Sequence, residues 1–281
     1  MFRRLAAVTA AVAALLGVNA SQVQGAASAH GFRYLWADAF NTPVKLGGFS
    51  GCDHNTDTPQ AYCSGLSGSM RTNWWAYPNT WPDTAKSGQL GVYKVGGTYH
   101  PEDTVWIAPS QSGDGQMHIR MYRPSTGGDF HSATVVPKKA MGLKYGRYII
   151  RERVSHVGVG FKSAQLLWPV DNNAGGCSEI DFPENSHDVA PSAYDHPANC
   201  GNQDAFDSRA SWSSWHTYTT SWTPSSVTFA VDGRVIGTSR YSPKVAMDWD
   251  VQNESSLDGE QAKPGSWDQI DITYVEVDTW S

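Results

Sequence analysis

From residue 104 to residue 278 the chain keeps returning to one pattern: a short run of alternating apolar and polar residues, closed by Gly, Pro, Asn, Asp or Ser. Alternation with period two puts successive side chains on opposite faces of an extended strand, one face dry and one wet. The runs are TVWIA (104–108), MHIRMY (117–122), SATVV (132–136), YGRYIIRERVS (145–155), SAQLLW (163–168), SEIDF (178–182), WHTYTTSW (215–222), SVTFAVD (226–232), RVIGTS (234–239), VAMDWDV (245–251) and IDITYVEVD (270–278). No long apolar pattern of period 3.6 separates them, so helices are not expected in between. In VTFAVDGRVIG the pair Asp232-Gly233 divides two alternating runs, which marks a tight hairpin. Strands at this spacing predict an all-β fold, a sandwich of two antiparallel sheets. Residues 41–102, rich in Gly, Pro, Asn and Thr, are expected to form long loops around it.

The first 29 residues stand outside that pattern. MFRR is a short basic segment, residues 5–18 are apolar, and AASA ends at Ala29 as a small-residue cleavage site. This reads as a secretory signal peptide, and its apolar run is too short to span a bilayer. The expectation is therefore a leader at 1–29 and a single domain at 30–281, secreted and acting as a monomer. Removing the leader takes away Arg3 and Arg4 and no acids, which moves the net charge from −6 to −8. An acidic chain with no Lys/Arg cluster argues against nucleic acid or an anionic membrane as partner. Cys52, Cys63, Cys177 and Cys200 suit an oxidising compartment and allow three pairings. Nearest-neighbour pairing is preferred, because each bridge would then staple a polar loop.

One strand raises a question of chemistry. In SEIDFPENSHD, Glu179, Asp181 and Glu184 crowd into six residues of a chain that is only 17% charged. Alternation sends Ile180 and Phe182 to one face and Glu179 and Asp181 to the other. Glu184 has the wrong parity, and one extra residue in a β-bulge would restore it. Pro183 suits that irregularity, since it lacks the N–H that a ladder needs. Three carboxylates on one face repel one another, and that repulsion keeps one of them protonated near neutral pH. Cleavage of a glycosidic bond uses such a set: one acid protonates the leaving oxygen while a second carboxylate attacks the anomeric carbon or activates water.

The segment CSEIDFPEN resembles the catalytic signature of glycoside hydrolase family 16 in its bulged E-x-D-x-x-E form. YGRYIIRERV, LLWP, SWHTYTTSWTPSSVTFAVDGRVI, VQNES and IDITYVEVD are similar to other segments of the family, so the resemblance covers most of residues 104–278. It implies a β-jelly roll with a concave substrate cleft. It also implies a retaining mechanism with Glu179 as nucleophile, Glu184 as general acid/base and Asp181 as the assisting carboxylate. Bulged members act mainly on β-1,3-glucans and on galactans such as agarose and carrageenan, and the expected reaction is endo-hydrolysis of β-1,3-glucan. The alternatives are the same chemistry on another polysaccharide such as a galactan, or a secreted non-catalytic lectin. The intact trio of acids counts against the lectin.

With twelve Trp and twelve Tyr, the chain has aromatic surface to spare for stacking on sugar rings. Trp168, upstream of the acids, is a candidate platform. Trp74 and Trp75 are adjacent rings in a loop-like stretch, hard to bury together, so one of them is expected to line a subsite. His196 is a candidate for touching substrate or an acid, and Gln252 is a candidate by resemblance. Gln165 stands where related enzymes often carry an aromatic, which points to a remodelled sugar platform. By parity Cys177 faces the cleft, and a bridge to Cys200 would tie the 185–200 loop to its rim. No cofactor or catalytic metal is required. Asp271 resembles an acid that helps to hold a structural calcium in some members.

Overall fold

Two antiparallel sheets carry nearly all of the regular structure. The computed structural model describes residues 30–53, 60–88, 96–109, 115–171 and 177–281, so the leader at 1–29 lies outside the described residues. Residues Gly31–Ser281 form one compact unit. The first sheet runs, edge to edge, through Asp204–Asp207, Ser192–Asp195, Ile180–Ser186, Phe161–Pro169, Met247–Ser255 and Phe130–Pro137, with Trp74–Ala76 paired outside the last. The second runs through Arg234–Ser239, Val227–Val231, His216–Trp222, Gly146–His156, Trp267–Trp280, Gly115–Tyr122 and Val105–Pro109. The long Trp267–Trp280 strand also pairs through its second half with Phe32–Asp38. Among the described residues a single pair, Tyr122 with His131, links the Gly115–Tyr122 strand to Phe130–Pro137 and so connects the two sheets.

Period-two patterning explains the sandwich. Along Gly146–His156 every second side chain is buried, including Tyr148, Ile150 and Val154. The sheets meet ring to ring: Tyr148 packs edge-on to Trp249 at 5.5 Å, and Phe182 to Tyr218 at 5.3 Å. Burying a large apolar side chain contributes about 1.5–3 kcal/mol, so this inner layer carries much of the fold's stability. The hairpin at Asp232-Gly233 forms as expected, with both residues at positive φ (49° and 77°), the geometry of a turn that matches strand twist.

Two differences concern the early region. Residues 41–102 are not only loops: Trp74–Ala76 and Gly97–Tyr99 are short strands that pair with Phe130–Pro137. The Phe32–Asp38 strand has no clean alternation, and its partner is the other end of the chain. Both disulfides, Cys52–Cys63 and Cys177–Cys200, pair nearest neighbours.

Candidate active site

The acid strand begins at Ile180, two residues later than alternation suggests. Ser178 has φ 64°, in the left-handed region where an extended strand cannot continue. Glu179 is thus presented from the strand's entrance. It is held there by the His196 amide, which donates to the Glu179 carbonyl at 2.9 Å, and by the flanking Cys177–Cys200 bridge. Ile180 and Phe182 point into the core, and Phe182 meets Phe229 of the opposite sheet at 5.5 Å. The bulge falls between Asp181 and Glu184. Asp181 lies opposite Leu166 and Glu184 opposite Ala164, three steps on one strand against two on its neighbour. The other neighbour shows the same offset, with Tyr194 opposite Asp181 and Ser192 opposite Glu184.

Glu179, Asp181 and Glu184 together line a cleft of about 860 Å³. Trp168, His196 and Gln252 line it too, as the sequence suggested. Around them stand Tyr77, Trp81, Tyr99, Tyr194, Asp250 and Lys162. The Met247–Ser255 strand supplies a second polar row: Met247, Trp249 and Val251 go to the core, while Asp250 and Gln252 face the cleft. The Tyr77 hydroxyl donates to Asp250 Oδ2 at 3.0 Å, tying the early loop to this row.

Charge is strongly coupled here. Burial, reinforced by the negative fields of Asp181 and Glu184, holds the Glu179 carboxyl well above the ordinary carboxylate range. Burial also raises Glu184; the Lys162 ammonium opposes that rise and Asp181 adds to it. His196 Nε2 lies 3.2 Å from Asp181 Oδ2. Burial works to lower its pKa, but the bond to Asp181 and the nearby acids outweigh it, so the imidazole is held above its ordinary value.

Four sequence expectations change. Trp74 and Trp75 are both fully buried, and neither lines the cleft. They sit on a strand, so adjacent rings leave on opposite faces and each finds its own pocket. Trp74 packs against Trp36 and Phe40, with its indole N–H donated to Asp38 at 2.8 Å, and Trp75 packs on Tyr77 at 5.6 Å. The aromatics from this stretch that reach the cleft are Tyr77 and Trp81. Gln165 does not face the cleft either; it is buried between the sheets and donates to Glu152 at 2.9 Å. Cys177 is buried outside the lining.

Asp271 does not fit a calcium ligand. Its Oδ1 engages His118 Nδ1 at 2.8 Å and Gln269 Nε2 at 3.0 Å, and its Oδ2 accepts from Arg153 at 3.3 Å. A guanidinium and an imidazole occupy the positions a divalent cation would need. Two other groups bring metal-binding side chains close together: His100, Asp103 and His131, and Glu179, Asp181 and His196. In the first, the imidazoles are stacked at 3.9 Å, His100 Nε2 is bonded to Thr98, and His131 Nδ1 is bonded to Tyr122 and lies 3.4 Å from Asp103. In the second, His196 is already spent on Asp181.

Three carboxylates on a bulged strand, opening into a cleft on a β-sandwich and walled by aromatics, define a glycoside hydrolase. The chain belongs to the glycosyl hydrolases of family 16, whose sequence profile matches residues 101–271. No curated protein matches it significantly in sequence. Its fold is similar to that of the laminarinase from Rhodothermus marinus (TM-score 0.62, 18% identity, 90% of this chain and 99% of the other). It is also similar to the catalytic domain of an endo-1,3-beta-glucanase from Thermotoga petrophila (TM-score 0.59, 15% identity, 90% and 100%). A Z. galactanivorans enzyme in complex with laminaritriose and laminaritetraose shares the fold as well (TM-score 0.62, 14% identity, 89% and 100%).

Proposed function

We propose that the protein is a secreted, retaining endo-hydrolase of β-1,3-glucan. The observation that carries this reading is the bulged strand that turns Glu179, Asp181 and Glu184 into one aromatic-walled cleft. Glu179, ionised, attacks the anomeric carbon and forms a glycosyl ester, while Glu184 gives its proton to the departing glycosidic oxygen. Glu184, now ionised, takes a proton from water, the water oxygen attacks the same carbon, and Glu179 leaves as the carboxylate. Asp181, braced by His196, stands beside Glu179 in the same cleft.

Laminarinase-fold relatives favour a β-1,3-linked glucan. So does the charge of the cleft: Glu179, Asp181, Glu184, Asp250 and Asp258 outnumber Lys162 and His196, which disfavours sulfated galactans. Secretion is supported by the leader-like first 29 residues and by two disulfides. Among the described residues no helix is long and apolar enough to cross a membrane. The deciding experiment is sugar release from laminarin, mixed-linkage glucan, agarose, carrageenan and xyloglucan, with Glu179→Gln alongside. Release from laminarin that disappears in the variant supports the reading. Release from a galactan alone would replace the substrate, and release that survives the substitution would remove the nucleophile assignment.

A further inference from the structure

Lys162 is a nearly buried cation in the wall of the cleft, with 8% of its side chain exposed. It lies directly across from Glu254 on the Met247–Ser255 strand and diagonally across from Glu184 on the acid strand. Its Nζ stands 3.0 Å from Glu184 Oε1 and 3.7 Å from Glu254 Oε1. Glu254 is fully buried and rigidly held: its Oε2 accepts from the Thr84 amide at 3.0 Å and from the Tyr99 hydroxyl at 3.1 Å. The Lys162 ammonium is therefore anchored from behind and, among the described residues, reaches forward to one partly exposed acid, Glu184.

We propose that Lys162 is a positioning residue for Glu184, fixing one oxygen of its carboxyl over the cleft and setting the pH at which it releases its proton. This inference rests on the reading of Glu184 as the acid/base. With Oε1 engaged by Lys162, Oε2 is the oxygen left to carry the catalytic proton. The groups facing Glu184 are Glu179 and Asp181 from its own strand and its entrance, Tyr194 and His196 from one side, and Lys162 with Glu254 behind it from the other. Asp258 also lines the cleft. The acids favour the protonated form, and Lys162 is the closest cation opposing them. Its own charge is secure: burial disfavours it, but Glu184 and Glu254 more than compensate and hold the ammonium above its ordinary value.

The cation serves the two half-reactions unequally. It favours the ionised Glu184 that activates water in the second step, and it limits the protonated Glu184 needed in the first step to lower pH. The wild-type enzyme therefore loses kcat/KM on the alkaline side earlier than it would without Lys162.

The test uses Lys162→Met, which keeps the chain length and removes the charge, and Lys162→Arg, which keeps the charge. The double variant Lys162→Met/Glu254→Gln also removes the buried carboxylate that the single change strands. Carbon-13 NMR of glutamate-labelled protein, with the Glu184 signal identified by its loss in Glu184→Gln, reads the titration without substrate. Glu184 is expected to titrate higher by about one to three pH units in both methionine variants. Lys162→Arg should keep the wild-type value, and the alkaline limb of kcat/KM on laminarin should move in parallel. An unchanged Glu184 titration in the folded double variant would overturn the proposal. A wild type inactive on every polymer would instead overturn the hydrolase reading, and the NMR shift would still decide whether Lys162 governs Glu184.

Discussion

Gln165 donates to Glu152 at 2.9 Å across the interior of the sandwich, linking the sheet that carries the acids to the sheet behind it. Both side chains are buried, and burial, partly offset by this bond, holds the Glu152 carboxyl up to about 8. Asp195, beside His196, is pushed up to about 7, chiefly by burial, with a bond to Ser239 opposing and Asp204 adding. Each acid binds its proton more tightly folded than unfolded. Between the ordinary carboxylate value and these raised values, the folded state holds more protons, so stability falls as pH rises. The contribution is full below pH about 4 and lost by pH about 8. Thermal unfolding should show Tm dropping across this window, and Glu152→Gln should flatten the slope. A Tm that climbs from pH 5 to pH 8 would contradict the account.

Azide would separate the roles proposed for Glu179 and Glu184. Glu184→Gln should lower hydrolysis of laminarin by about 10²–10⁴-fold. An aryl glycoside that needs no proton for its leaving group should still form the glycosyl ester, and azide should then capture it with the starting anomeric configuration. Glu179→Gln should form no ester, and any azide product should have the opposite configuration. Swapped configurations would exchange the two assignments.

The aromatic pairs divide by consequence. Trp74→Ala removes a buried ring and its bond to Asp38, and should cost about 3–5 kcal/mol in denaturant unfolding. Trp81→Ala and Trp168→Ala change the cleft wall and should raise KM by up to about tenfold, the equivalent of about 1.4 kcal/mol. Loss of stability without a change in KM at Trp168 would return it to a structural role.

The two disulfides differ in the same way. Replacing Cys177 and Cys200 with Ser frees a loop of sequence separation 23 and should cost about 3 kcal/mol. It should also lower kcat, since this bridge joins the segments that carry Glu179 and His196. Replacing Cys52 and Cys63, of sequence separation 11, should lower stability while leaving kcat near wild type. Equal effects on kcat would show that the first bridge has no special hold on the site.

The strands and the acid row were legible in the sequence because both follow from period two: Ile180 and Phe182 declare the core face, so Asp181 declares the cleft. The bulge was legible because Glu184 alone broke parity. What escaped depends on partners distant in sequence. Phe32–Asp38 is a strand because Trp267–Trp280 offers it an edge. Trp74 and Trp75 are buried because Phe130–Pro137 turns their segment into a strand. Lys162, read locally in FKSAQLLW, is an ordinary charged residue; its weight comes from Glu254, 92 positions away, meeting it across a shared ladder. In NWWAYPNTW the expectation fell on Trp74 or Trp75, whereas Tyr77 and Trp81 reach the cleft, because which rings face it is a matter of register.

The bulge gives the acid strand a tolerance to changes of length. Both neighbouring strands absorb the extra residue between Asp181 and Glu184, and pairing resumes in step beyond it. Deleting Pro183 would place Glu184 two residues after Asp181, on the same face by plain alternation, still opposite Ala164 and Ser192. A one-residue deletion elsewhere in a half-buried strand turns its buried side chains outward. Here the acids would keep the same cross-strand partners, so neither their spacing along the sheet nor the core would move. The neighbouring strands, not the length of the acid strand, thus set the spacing of the acids.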